Sequence, residues 1–503
     1  MLGRYGLLSI LVCASLTTSQ AAEIRLQVDD AVTGKSVPCR IHLKDTAGEP
    51  VLPRGFPSWH DHFVCDGMAS LDLPAGEYSY EVDRGPEYYL ETGKLRVVEA
   101  SEQQLTIQLR RLVNLAEQGW WSGELHVHRP VADIELLMRA EDLHVTPLIT
   151  WWNYRNWWAE HALPPQPLIQ FDRDRFYHLM GGEDERNGGA LLFFNLNRPL
   201  KINRAQAEFP SPMKFVAEAR EQADVWIDLE KPFWYDAPIW LASDQVDSIG
   251  IAHNHMQRGG VLADEAWGKP RDLQRYPAPQ GNGFWTQEIY YHILNCGLRL
   301  PPSAGSASGV LPNPVGYDRM YVELDGELTY EKWWAGFKAG HVFVTNGPLL
   351  RCRANGQLPG TVFKALAGQS LEIDVTAELE SRDPISAIEI IQDGRVVRTI
   401  SYALWKQSSS LGKFQFDQSG WFLIRAIADV PTTFRFASTG PFYVEVGSAT
   451  TRVSRESAQF FLDWVRQREG KLKLDDPGQR EEVLLHHRAA EQFWKKKVES
   501  AND

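Results

Sequence analysis

The period of hydrophobic positions changes several times along the chain. Near the start, Ile24-Arg25-Leu26-Gln27-Val28 and Tyr78 to Val82 alternate apolar and polar residues with period two. Val32-Thr33-Gly34 and Pro74-Ala75-Gly76 supply turn signals between such runs. This pattern predicts a small β-sandwich over residues 22–112. From 113 to 347, short apolar runs alternate with helical stretches. Leu136 to Leu143 can form an amphipathic helix, and Thr146 to Thr150, Val225 to Ile227 and Ile249 to Ile251 read as buried strands. Alternating βα elements imply a parallel sheet, open or closed, with chemistry at the carboxyl ends of its strands. Residues 348–448 return to strands, at Ser370 to Val375, Ile385 to Ile391 and Trp421 to Ala428. A tail over 449–503 reads as two helices, 454–470 and 479–498, split by Asp475-Asp476-Pro477-Gly478. The fold class expected is thus α/β plus all-β.

The amino terminus changes the compartment. Arg4 followed by the apolar run Leu7 to Leu16, with Ser19-Gln20-Ala21 as a small-x-small site, reads as a signal peptide over residues 1–21. The expected destination is secreted or periplasmic, with no membrane association beyond that segment. Of the remaining cysteines, Cys39 and Cys65 share the first predicted sandwich and can pair in an oxidising compartment or stay as buried free thiols. A net charge of −13 argues against nucleic-acid partners.

Gly123-Glu124-Leu125-His126-Val127-His128 carries the most chemistry. On a strand, residues i and i+2 share a face, so two imidazoles can chelate one divalent ion. Gly181-Gly182-Glu183 offers a carboxylate, within the charged run Glu183-Asp184-Glu185-Arg186. His253-Asn254-His255 follows a predicted strand, which makes His255 a candidate fourth ligand and His253 a candidate general base. His60-Asp61-His62 has the same spacing but falls in a predicted loop of the first sandwich. Thirteen of the eighteen tryptophans lie between 115 and 345, with Trp151, Trp152 and Trp234 as candidate pocket walls beside Asp236 and Arg186. No nucleotide-binding glycine loop is present, and Gly305-Ser306-Ala307-Ser308-Gly309, between Pro302 and Pro312, lacks the setting of a nucleophilic serine turn.

The stretch ending in His128 resembles the opening motif of the polymerase and histidinol phosphatase (PHP) superfamily, in particular its CehA/McbA-like metallohydrolase branch. The resemblance covers roughly residues 115–350. It implies a central (β/α)7-like barrel over 113–347, flanked by the two β-sandwiches and the helical tail. The first sandwich also resembles prealbumin-like or carboxypeptidase-regulatory-like modules. The family's later ligand motifs survive here as frames. Its acidic ligand matches Glu183. Its Thr-Asp-His-Asn stands as Thr150-Trp151-Trp152-Asn153, its Gly-His as Gly189-Ala190, its Ala-His-Pro as Glu230-Lys231-Pro232, and its Gly-Ser-Asp-x-His as Gly305 to Gly309. Where the family implies two or three metals, His126, His128 and Glu183, with His255, suit a single divalent ion (zinc, manganese or iron) or none.

Two functions follow as expectations. One is a metal-dependent hydrolase of a small-molecule or glycan ester or phosphoester, with His253 or Glu185 handling the proton and Lys231 or Arg129 facing developing negative charge. Lys231 is also expected to balance Glu183. The other is an inactive barrel that binds a glycan or a protein through a Trp-rich cleft.

Overall fold

The computed structural model describes residues 21–503 except 100, 203, 449 and 450. The expected signal peptide lies, but for residue 21, outside the described residues. Residues 22–109 form two facing sheets. Met68–Leu73, Ala22–Asp30 and Glu102–Leu109 make one, and Ser58–Trp59, His62–Cys65, Cys39–Lys44, Gly76–Asp83 and Glu91–Val97 make the other. Alternate residues such as Ile24, Leu26 and Val28 enter the core between them. Cys39 and Cys65 are direct cross-strand partners, buried and free, with Sγ atoms 3.8 Å apart.

The middle of the chain closes into a ring. Residues 124–128, Val145–Trp152, Arg175–Arg186, Gly189–Phe194, Trp226–Leu229, Ser248–His253 and Pro302–Gly305 follow one another around it. Val127 closes the ring by bridging Leu148 on one side and Ser308 on the other, both in parallel. Gly189–Phe194 runs antiparallel to its neighbours, and the other segments are mutually parallel. Both faces of Val145–Trp152 are largely buried, the burial expected of a parallel strand covered on each side. Helices Ile134–Ala140, Pro212–Arg220, Ala237–Ala242 and Gly281–Asn295 connect ring segments. The stretch after Val145–Trp152 departs from βα alternation, because Arg155–Asn156 folds back on Trp151–Trp152 as a hairpin.

Hydrogen bonding does not stop at the ring. Trp120–Gly123 pairs with Arg319–Glu323, that strand with Val342–Thr345, and that one with Phe436–Thr439. The ladder therefore crosses residue 347, where the sequence suggested a boundary, and enters the C-terminal sheets. There, Leu349–Ala354, Leu371–Glu380 and Ser410–Phe416 face a second set that includes Ile385–Gln392, Gly420–Ala428 and Phe442–Val446. Helices Arg455–Glu469, capped by the Ser454 hydroxyl, and Pro477–Glu499 pack back on the ring. Trp494 is buried and donates its Nε1–H to the Pro238 carbonyl at 2.8 Å. Among the described residues no helix is long and apolar enough to cross a membrane.

Candidate metal centre

Parallel topology brings the carboxyl ends of the ring strands to one end of the ring, and strand periodicity decides which side chains meet there. In Arg175–Arg186 successive residues face opposite ways. Asp184 and Arg186 point away from the lumen and pair with each other at 2.5 and 2.8 Å. Glu183 and Glu185 share the other face. Glu183 meets His126 and His128, which the 124–128 segment projects from one side two residues apart. Gly305 makes that seat possible, since a Cβ there would lie 2.3 Å from the His126 Cβ.

The three side chains converge atom on atom. His126 Nε2 and His128 Nε2 are 3.0 Å apart. Glu183 Oε2 lies 3.1 Å from His128 Nε2 and 3.6 Å from His126 Nε2. Ligands on a tetrahedral zinc, with bonds near 2.0–2.1 Å, are separated by about 3.3 Å. The triangle is therefore close to the size a single ion requires. Glu183 Oε2 is buried without a hydrogen-bond donor in good geometry, although the imidazoles stand at ion-pair distance. Such an oxygen is costly unless a cation meets it.

A second layer holds the first. His126 Nδ1 faces Glu230 Oε1 at 3.2 Å. Glu230 also accepts from the Lys231 ammonium and from Trp234 Nε1 at 2.9 Å, and the ammonium sits 4.5 Å above the Trp234 ring. A carboxylate behind a ligating imidazole fixes its tautomer and orientation. Glu185 accepts from Trp152 Nε1 at 3.0 Å, and the Trp152 ring packs 5.1 Å from that of His128.

Electrostatics follow from burial and crowding. Burial alone would lower the His126 pKa, but Glu183 and Glu230 outweigh it and raise it to about 10. Burial lowers that of His128 despite Glu183. Burial pushes Glu183 up, and the two imidazoles pull it to about 2. Glu230 is likewise penalised by burial, yet Lys231 and His126 hold it below the usual carboxylate range. At Glu185 the pull of Lys231 and His126 is outweighed. Burial and the negative charge of Glu183 push it up to about 8.

The structure does not gather every residue singled out from the sequence. His253 ends its strand as expected, but its Nε2 lies 2.8 Å from Thr286 Oγ1 in the helix behind, and its Nδ1 accepts from the His255 N–H. A ring committed on both nitrogens is not presented as a base. His255 packs against Phe233 and Trp234, outside the group formed by His126, His128 and Glu183. Lys231 balances Glu230 and not Glu183. Arg129 turns to the N-terminal sheets, donating to the Ser58 carbonyl and lying over Trp59. Asp236 is locked to Arg468 of the tail at 2.5 Å, and Arg186 to Asp184, so both act in packing. Trp151 fills the space above Gly182, and Trp234 serves through its bond to Glu230. Glu230 itself went unrecognised in the sequence. Its signal was an acid directly followed by a base at the end of a buried strand.

His42, Asp61 and His62 form a second close group. Arg258 Nη2 stands 3.3 Å from both Asp61 Oδ2 and His42 Nδ1, and Arg40 donates to His42 Nε2 at 3.1 Å. Guanidinium groups supply the positive charge there. His60 of the same motif is exposed.

No family model and no curated protein matches the chain. Similarities to solved structures are weak. The Bacillus anthracis TIE protein is 20% identical over 23% of this chain and 20% of its own, with a TM-score of 0.16. The minor pilin GBS52 of Streptococcus agalactiae is 14% identical over 19% of this chain and 46% of its own, with a TM-score of 0.16. A pilus-presented adhesin, Cpa, is 17% identical over 19% and 27%, with a TM-score of 0.11. The chain thus matches less than half the length of each, and scores this low carry no argument about fold or function.

Proposed function

We propose that this protein is an exported, metal-dependent hydrolase of an ester or phosphoester, with one divalent ion held by His126, His128 and Glu183. The observation that carries the proposal is the meeting of two imidazole Nε2 atoms and the buried Glu183 Oε2 within one ion's reach. An N2O donor set suits zinc, manganese or iron better than magnesium or calcium, which prefer all-oxygen sites. When bound, such an ion polarises the scissile carbonyl or phosphoryl group and makes water a nucleophile near neutral pH.

The chain's own groups do the rest. Glu230, steadied by Lys231 and Trp234, orients the His126 ring. Glu185, two residues beyond Glu183 on the same strand face and anchored by Trp152, is the carboxyl placed to exchange a proton with substrate or solvent. Trp152 covers His128 and limits water on that side. The closed ring and the His126-Val127-His128 segment at its carboxyl end agree with a reduced member of the PHP-type metallohydrolases, in which Trp151, Trp152 and Lys231 stand where further ligands would be.

Elemental analysis of the purified mature protein tests the reading. About one equivalent of transition metal, lost in His126→Ala, and a melting temperature lowered by chelator are expected. No stoichiometric metal, together with melting unmoved by chelator, would overturn it and favour an inactive barrel that binds a glycan or protein through its tryptophan-lined cleft.

A further inference from the structure

The cleft that opens beside His128 has a volume of about 450 Å³, and its walls include Trp152, Arg155, Trp157, His161 and Val310. Trp157 is stacked on His161, with ring centroids 3.8 Å apart and planes 9° from parallel, yet Trp157 remains 41% exposed. His161 and the edge contact with Trp158, 4.6 Å between centroids, brace the indole from rotation while part of its aromatic surface stays open to the cleft. Arg155 is the hairpin partner of Trp152 and lays its guanidinium over the Trp152 ring at 5.2 Å.

Most arginines near the ring are tied to carboxylates, whereas Arg129, which donates to the Ser58 carbonyl, and Arg155 are not. Arg186 is held by Asp184, Arg139 by Asp172 and Arg175 by Asp142 and Asp174. Among the described residues no carboxylate lies within ion-pair distance of Arg155, whose recorded partners are the rings of Trp152 and Tyr154. Glu160, on the same rim, makes no ion pair with it. Stacking fixes the plane of a guanidinium while leaving its N–H edge free, and that edge matches a carboxylate two bonds at a time.

We propose that Arg155 is a specificity residue that fixes a carboxylate carried on the ring of the substrate. The ring lies against Trp157 beside the edge of Trp152, and the scissile ester reaches the metal ligands at His128. The substrate class is then an ester of a carboxylated ring, either a uronate or an aromatic acid. The reacting end rests on the hydrolase reading above, whereas the carboxylate subsite stands on Arg155 and the two tryptophans.

Calorimetric titration of the full mature protein tests the subsite. The probes are 4-hydroxybenzoate and galacturonate, each beside its neutral counterpart, 4-hydroxybenzyl alcohol and galactose. One of the two carboxylates should bind about 10- to 100-fold more tightly than its neutral partner. Arg155→Met should bring it down to the neutral compound's affinity, and Arg155→Lys should restore part of the preference. Trp157→Ala should weaken the carboxylate and its neutral partner alike. Binding of neither carboxylate, or a preference that survives Arg155→Met, would overturn the proposal. Hydrolysis of 4-acetoxybenzoate and phenyl acetate separates the two readings. A carboxylate preference in binding, with no stoichiometric metal and no turnover of either ester, sinks the hydrolase and leaves the subsite. Where 4-hydroxybenzoate is the carboxylate that binds, equal turnover of both esters leaves the hydrolase and sinks the subsite.

Discussion

Glu230 and Lys231 are adjacent in sequence, in contact, and each about 3% exposed. Removing one partner of such a pair leaves the other charge buried and uncompensated, which costs about 3–5 kcal/mol. The two losses should differ. Glu230→Met also strips the acceptor from Trp234 Nε1 and from His126 Nδ1, and bonds to a charged acceptor contribute about 1.5–3 kcal/mol each. Lys231→Met leaves Glu230 with both of those donors, and the positive charge on His126, whose pKa is raised to about 10, still faces it. Glu230→Met is therefore expected near 5 kcal/mol and Lys231→Met near 3 kcal/mol. The double variant, which has neither charge, should be more stable than their sum by about 2–3 kcal/mol. Urea unfolding at pH 7 with chelator present, followed by tryptophan fluorescence, measures all four proteins without a contribution from bound metal. Additivity within about 0.5 kcal/mol, or a Lys231→Met loss exceeding that of Glu230→Met, would refute the account of the pair.

Two further expectations concern stability. His178 is buried with its Nδ1 accepting from the Met180 N–H, and burial lowers its pKa from 6.5 to about 4. The unfolded chain therefore takes up this proton at higher pH than the folded one. The folded state keeps its full stability above pH 6.5 and loses up to about 3 kcal/mol as pH falls through 4. His178→Asn, which can still accept from Met180, should make the urea midpoint less acid-sensitive between pH 6.5 and 4; an unchanged pH slope would contradict this. At Gly182 a Cβ would lie 1.7 Å from the Trp151 ring. Gly182→Ala should cost about 1–3 kcal/mol or more and displace the strand that carries Glu183. Gly259→Ala, with nothing within 4 Å, should leave the melting temperature unmoved.

The sequence was most legible where one period governs one element. Alternation in Ile24 to Val28 located a strand that the structure extends to Ala22–Asp30, and the helix expected over 454–470 forms as Arg455–Glu469. His126 and His128 were readable for the same reason, as period two puts both rings on one face whatever the tertiary fold. The same rule, applied to Glu183-Asp184-Glu185-Arg186, separates two lumen carboxylates from an outward ion pair. What was not legible depended on contacts between elements. The direction of His253 is set by Thr286, 33 residues away, and the fate of Asp236 by Arg468 in the tail. Lys231 was read against Glu183 because Glu183 carried the motif, while its partner stood beside it. The hairpin at Arg155–Asn156, a departure from the expected βα alternation, supplies part of the wall of the cleft.

The ladder from Trp120–Gly123 to Phe436–Thr439 bears on how the molecule can be divided. A chain ending at 347 would keep Val342–Thr345 but lose the neighbour that satisfies its outer edge, leaving an apolar strand open to pairing with other chains. The ring and the following sheets are therefore expected to unfold together. Damage deep in the C-terminal sheets would reach the histidines through shared backbone hydrogen bonds, without touching any residue near them.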